Sequence, residues 1–130
     1  MSLTVGLKGR CEALVTDTNT ALAMGSGALP VLATPMMVAL MEGAAVDALK
    51  GHLAEGEDTV GTGLEISHDA ATPVGMKAWA EAELTAVEGR ALTFAVTAYD
   101  EAGPIGKGTH RRFVVGAERF LAKAQGKKRA

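Results

Sequence analysis

The chain has 130 residues, 48% of them apolar and 22% charged, with a formal net charge of −2. That length is expected to fold as one domain, residues 1–130, around one hydrophobic core; the composition excludes a disordered chain and gives no bulk electrostatic case for nucleic-acid binding. The single cysteine, Cys11, excludes an internal disulfide and fits a reducing compartment.

In chain order, the first element is a strand within Thr4 to Asp17, where Cys11, Ala13 and Val15 alternate with Glu12, Leu14 and Thr16. On the same alternation Cys11 reads as a core or sheet residue rather than a nucleophile. The stretch "TNTALAMGSGALPVLA" is rich in Gly, Ala and Ser and reads as a mobile connection. Thr34-Pro35 then marks a helix start, with Thr34 as N-cap and Pro35 at the first helical position. That helix runs to about Lys50 and ends at Gly51.

After a polar loop, "LAEGED", the pattern becomes β. "TVGTGLEISH" is β-branched and alternating, and "MKAWAEAELTAVEG" sets Lys77, Trp79, Glu81 and Glu83 against Ala78, Ala80, Ala82 and Leu84. "RALTFAVTAYDEAG" puts Leu92, Phe94, Val96 and Ala98 on one face. "PIGKGTHRRFVVG" puts Thr109, Arg111, Phe113 and Val115 on one face and His110, Arg112 and Val114 on the other. Glu88-Gly89-Arg90 and Asp100 to Gly103 read as hairpin links. The basic tail, about 119–130 with Lys123, Lys127, Lys128 and Arg129, reads as a solvated, frayed terminus.

No apolar run approaches the roughly 20 residues of a membrane span, and no basic segment followed by an apolar one opens the chain. A cytoplasmic protein is expected. His52, His68 and His110 are scattered, and no Cys/His pair has ligand spacing, so no metal site is expected.

One strand, one very apolar helix and about four antiparallel strands make an α+β chain. A helix apolar on all sides must be surrounded, and one sheet covers only part of it. The economical arrangement is a hot-dog fold: a strongly curved antiparallel sheet wrapped around one long central helix, with a second copy closing the exposed face.

Glu42 stands out within that helix because no Lys or Arg lies within four residues of it. A buried carboxylate without a partner costs several kcal/mol. It either does chemistry, caps a neighbouring loop, or pairs with an arginine from the sheet. His68 ends a strand before a small-residue turn, a position that suits proton transfer at a cleft edge; a satisfied structural histidine is the plain alternative. Thr34 has a complete explanation as a cap, yet Thr, Glu and His together form a set of the kind acyl transfer uses. Eight residues of helix separate Thr34 from Glu42 by roughly 12 Å, so the two cannot touch within one straight helix. Gly61 and Gly63 permit close approach of a ligand or backbone, or mark a β-bulge. Arg111 and Arg112 point to opposite faces. One of them faces solvent and the other the cleft or a subunit seam, as an anion ligand or an ion-pair partner.

The blocks "VLATPMMVALMEGAAVDAL", "HLAEGEDTVGTGLEISHDAATPVG" and "ELTAVEGRALTFAVTAYDEAGPIGKGTHRRFVV" resemble the fluoroacetyl-CoA thioesterase-like family of hot-dog thioesterases, over about three quarters of the chain. The resemblance implies hydrolysis of an acyl-CoA thioester, with no cofactor beyond the coenzyme A of the substrate, in a homodimer or a higher assembly with sites near the interface. It places the family's catalytic set on Thr34, Glu42 and His68, and its substrate-contacting glycine and arginine on Gly61 and Arg112. Glu42 would be nucleophile or base, His68 the acid/base, Thr34 an orienting group, and the Gly61 N–H a donor to the thioester oxygen. The segment "ALAMGSGALPVL" departs from that family, which carries an aromatic lid there. A short or medium acyl-CoA is accordingly expected as substrate. No nucleic-acid or membrane partner is expected. A non-catalytic acyl-CoA or small-ligand binder is the rival, and a hydratase is disfavoured because Asp69 and His68 diverge as strand neighbours.

Overall fold

The structure is a computed structural model and describes residues 3–128. Its elements are β1 (Lys8–Leu14), α1 (Ala21–Met24), α2 (Thr34–Leu49), β2 (Glu57–His68), β3 (Lys77–Glu88), β4 (Ala91–Asp100), β5 (Gly103–Gly116) and α3 (Ala117–Gln125), followed by a 3₁₀ turn, Gly126–Lys128. The five strands form one antiparallel sheet in the order β1-β3-β4-β5-β2, which leaves β1 and β2 at its edges.

The period-2 patterns carry this architecture. Ala78, Ala80, Ala82 and Leu84 of β3, and Leu92, Phe94, Val96 and Ala98 of β4, are buried. Met37, Leu40, Met41, Ala44, Ala45, Ala48 and Leu49 of α2 belong to the same core. Each large apolar side chain so placed contributes about 1.5–3 kcal/mol. The alanines of β3 let the helix lie close on the sheet. Against β1 the approach is closer still: a Cβ on Gly9 would collide with the Ala44 carbonyl and the Ala48 amide, and one on Gly43 would lie 2.7 Å from Cys11 Sγ. Cys11 therefore packs on the core, as its alternation implied. Burial, with Asp47 and Glu12 nearby, raises its pKa, which disfavours the thiolate form.

The edge strand β1 is tied to the helix by its backbone: the Arg10 N–H donates to Asp47 Oδ2 at 2.9 Å. The outer face of the sheet carries a stack of Trp79 on Tyr99, with centroids 5.7 Å apart and Arg10 over the indole.

Three expectations are corrected. Thr34 is not the N-cap of α2; Ala33 holds that position without a side-chain cap bond, and Thr34 is the first helical residue. The connection before it, expected as a mobile one, holds ordered structure: Thr20 caps α1 by accepting from the Ala23 N–H, and Gly25, at φ 75°, ends it. Bridges from Thr20 to Leu32 and from Val31 to Pro73 pin the remainder of the segment. The basic tail is solvated as expected, every described residue from 119 onward being exposed, but it is helical through Gln125, with Glu118 in its first turn and Lys123 in its last, an arrangement that suits the helix dipole. Arg129 lies outside the described residues.

Candidate active site

Thr34 and His68 meet where α2 begins and β2 ends. Thr34 Oγ1 is 2.7 Å from His68 Nδ1. Because Ala33 supplies the cap position, the Thr34 hydroxyl is free of helix duty and is spent on the imidazole. His68 is held from behind by the turn that follows it. Asp69 N–H donates to the Ile105 carbonyl at 2.6 Å, and the Leu32 N–H to the Thr72 carbonyl at 2.9 Å. Thr72 Oγ1 donates to the buried Asp100 carboxylate at 2.7 Å. The other ring nitrogen of His68, Nε2, is buried and has no hydrogen-bond partner among the described residues. Beside this pair lies a cavity of about 260 Å³ lined by Ala21, Ser26, Val31 and Leu32 together with Thr34 and His68. The segment from 21 to 32 thus walls the Thr34–His68 pair.

Glu42 belongs to a second cluster. It is neither fully buried nor unpartnered, as the isolated helix pattern suggested: its side chain is 42% exposed, and Oε2 is 3.4 Å from Arg112 Nη1. The arginine of the sheet is therefore its partner, seventy positions away in sequence. Arg112 faces inward and is buried, whereas Arg111 is exposed on the outer face. The guanidinium donates through Nε to Thr59 Oγ1 at 2.9 Å, through Nη2 to the Thr59 carbonyl at 3.0 Å, and through Nη1 to His110 Nε2 at 3.1 Å. Burial pulls the Arg112 pKa down, while Glu42 and Asp58 push it back up.

Gly61 completes the cluster. It pairs with Arg112 across the ladder, and the register shifts between Gly61 and Gly63, so the strand carries a bulge at Thr62. A Cβ on Gly61 would lie 2.6 Å from Glu42 Oε2 and 3.3 Å from His110 Cε1. Glycine at this position is what lets the carboxylate rest against the strand.

The five residues singled out from sequence thus fall into two groups, Thr34 with His68 and Glu42 with Gly61 and Arg112. Along α2 the groups are separated by about 12 Å, and along β2 by about 23 Å. Sequence reasoning passed over His110 and Thr59. The one available signal for His110 was its place two residues before Arg112 on the same face of β5.

Among the described residues no group of three or more His, Cys, Asp or Glu is placed to hold a metal ion, and no helix is long and apolar enough to cross a membrane.

Comparisons with known proteins converge. A family model described as "Fluoroacetyl-CoA-specific thioesterase" matches residues 15–118. The fluoroacetyl-CoA thioesterase of Streptantibioticus cattleyicolor is 46% identical over 97 residues, which cover 75% of this chain and 70% of that protein. A solved structure of a fluoroacetyl-CoA thioesterase superposes with a TM-score of 0.90 at 37% identity, covering 98% of each chain. A thioesterase superfamily member from Thermus thermophilus gives a TM-score of 0.89 at 29% identity, over 98% of this chain and 94% of that one. A hot-dog-like protein from Thermanaerovibrio acidaminovorans gives 0.85 at 26% identity, over 98% and 94%. The curved sheet around α2 is the hot-dog fold.

Proposed function

Since the chain belongs to the fluoroacetyl-CoA-specific thioesterase family, we propose that it hydrolyses short or medium acyl-CoA thioesters to free acid and coenzyme A. We further propose that each active site is assembled from two copies of the chain. The observation that carries this reading is the division of the site into two half-sites on one chain. Thr34 and His68 sit at one end of β2, and Glu42, Gly61 and Arg112 toward the other.

The unpaired edge of β2 supplies the geometry. A second copy laid antiparallel along that edge, about a two-fold axis near Leu64 and Glu65, brings His68 of one copy opposite Gly61 of the other. The same operation covers the exposed face of α2, where Val46 is 44% exposed.

In such a site Glu42 supplies the negative charge for attack on the thioester carbonyl, held on the Gly61 backbone by Arg112. Water adds at the carbonyl carbon and gives its proton to Glu42, the carbon–sulfur bond breaks, and His68 protonates the departing thiolate and is reprotonated by the proton held on Glu42. The Thr34 hydroxyl fixes the His68 ring through Nδ1, which turns the unpartnered Nε2 toward the reacting atoms. A backbone N–H at the Gly61 bulge serves the developing oxyanion. No group beyond the substrate's own coenzyme A is needed for these steps, and a cytoplasmic location supplies that substrate.

The acyl group lies under the 21–32 segment. That wall presents Ala21, Ser26, Val31 and Leu32 to the cavity, and the segment has no aromatic side chain. Aliphatic side chains on a glycine-bearing segment shape a pocket less rigidly than aromatic rings, so acyl chains longer than two carbons are accepted.

The experiment is release of coenzyme A thiol from a panel of acyl-CoAs, with wild type beside Glu42→Gln and His68→Ala. Each variant alone is inactive or falls by about 10²–10⁴. Refolding the two variants together regenerates activity, because half of each mixed dimer then carries an intact Glu42 opposite an intact His68. Failure of the mixture to recover activity returns the site to a single chain. Tight coenzyme A binding with no turnover on any thioester moves the protein to the non-catalytic class.

A further inference from the structure

The Glu42 cluster contains a second histidine, and its hydrogen bonds define its proton inventory. His110 Nδ1 is 2.9 Å from the Gly63 carbonyl oxygen, which only accepts. Its Nε2 is 3.1 Å from Arg112 Nη1, which only donates. Both bonds are satisfied at once by one species alone, the neutral imidazole with its proton on Nδ1. Glu42 Oε2, at 4.0 Å from Nε2, lies beyond hydrogen-bond distance and makes no claim on that nitrogen.

Arg112 depends on this lone pair for its aim. Thr59 takes Nε and one N–H of Nη2, which fixes one edge of the guanidinium against β2. Nη1 carries two N–H groups, one toward His110 Nε2 and one toward Glu42 Oε2. With the first engaged, the second points at the carboxylate. The geometry points to His110 as a positioning residue: held in its Nδ1–H tautomer by the Gly63 carbonyl, it accepts from Arg112 and so directs the remaining Nη1 N–H onto Glu42. This inference rests on the thioesterase reading for its effect on rate, but the tautomer itself does not.

The surroundings agree element by element. From β5 the charge facing His110 is Arg112, and from α2 it is Glu42. From β2 it meets the Gly61 and Gly63 backbone, with Asp58 acting on the arginine beyond. From β4 it meets Phe94, ring centroids 6.3 Å apart and tilted by 30°. A proton on Nε2 would set an imidazolium N–H against a guanidinium N–H at 3.1 Å, break the hold on Arg112, and turn the ring toward Glu42. Burial is the largest effect opposing that charge, and Arg112 adds to it. The Gly63 hydrogen bond and Glu42 work the other way.

Two measurements test the assignment. In nitrogen-15 NMR of the folded wild type with labelled imidazoles, His110 at neutral pH shows a protonated Nδ1 and a bare Nε2. A ring protonated on Nε2, or on both nitrogens, overturns the assignment whether or not the protein turns over a thioester. The second measurement separates the two hydrogen bonds by substitution. The terminal amide of glutamine reaches the place of Nε2 and offers an acceptor to Arg112, whereas that of asparagine reaches only the place of Nδ1 and bonds Gly63. His110→Gln therefore keeps kcat/KM within a few-fold and loses the part of the acid limb that belongs to His110. His110→Asn loses about 10- to 100-fold, mainly in kcat, with the melting transition retained. Equal behaviour of the two variants overturns the role. Absence of turnover by wild type, with the expected tautomer in the spectrum, counts against the thioesterase reading alone and upholds the arrangement around His110.

Discussion

The Glu42 carboxylate occupies the space in which a side chain on Gly61 would begin: a Cβ there would stand 2.6 Å from Oε2. Gly61 has no positive φ, so alanine is acceptable to the backbone; the main conflict is with the end of a flexible carboxylate, and the His110 ring, 3.3 Å away at Cε1, must give by a few tenths of an ångström. Gly61→Ala should therefore lower kcat at least tenfold while shifting Tm by no more than a surface substitution does, within about 0.5 kcal/mol. A variant that melts early with normal turnover per folded molecule would show the glycine to be structural.

Thr34 separates two accounts of a helix start. A threonine serving as N-cap costs about 0.5–2 kcal/mol when replaced by alanine. Here the hydroxyl bonds His68 Nδ1 and no backbone N–H of the helix. Thr34→Ala should leave the urea midpoint nearly unchanged and reduce turnover by about 10²-fold, with Thr34→Ser restoring most of it. A large stability loss in the alanine variant would return the residue to a capping role.

Gly9 gives the opposite signature. A Cβ on it would collide with backbone atoms of Ala44 and Ala48, which cannot swing away. Gly9→Ala should destabilise the fold by about 1–3 kcal/mol, read as a lower denaturation midpoint at an unchanged slope. Turnover of the fraction still folded should be unaffected, because β1 carries no residue of the proposed site.

His110 predicts the pH dependence of stability. Its folded-state pKa is lowered by burial, so between that value and the ordinary 6.5 the unfolded chain binds a proton that the folded chain refuses. Stability from this group is fully present above about pH 6.5 and is lost as pH falls toward the folded-state value. Denaturation midpoints of wild type minus His110→Gln, measured from pH 8 to 5, should fall with acidity, because titrating groups remote from His110 cancel in the difference. A flat difference would mean that the imidazole charges in place.

The sheet was legible in the sequence because a half-buried strand repeats every two residues, and "KAWAEAEL" writes that period without a break. The long helix was legible from Thr34-Pro35 and the apolar run behind it. Its first turn was misassigned by one residue, since Thr34 in sequence looks the same whether its hydroxyl turns back to the helix or out to a histidine. The short helix Ala21–Met24 spans barely one turn and leaves no periodicity to read. The terminal helix has no buried residue, so no apolar stripe against a core announced it. Of the candidate site, residue types were readable, and an arginine of the sheet was one of the readings open for Glu42, but which arginine and which histidine would stand beside it were not. Glu42 finds Arg112 from the far end of the chain, and His110 becomes informative only once Gly63, Arg112 and Glu42 arrive beside it from three elements.

The hydrogen bond from the Arg10 amide to Asp47 has a consequence for how the protein grows in solution. A sheet with two bare margins is a polymerisable unit, able to add copies at both ends without limit. In this molecule one margin is occupied by a carboxylate from its own helix and flanked by Lys8, Arg10 and Glu12. The other margin stays bare. In the proposed pairing such a unit has a valence of one: joining two copies at their bare margins leaves on each, among the described residues, only the margin that Asp47 and the charged side chains guard.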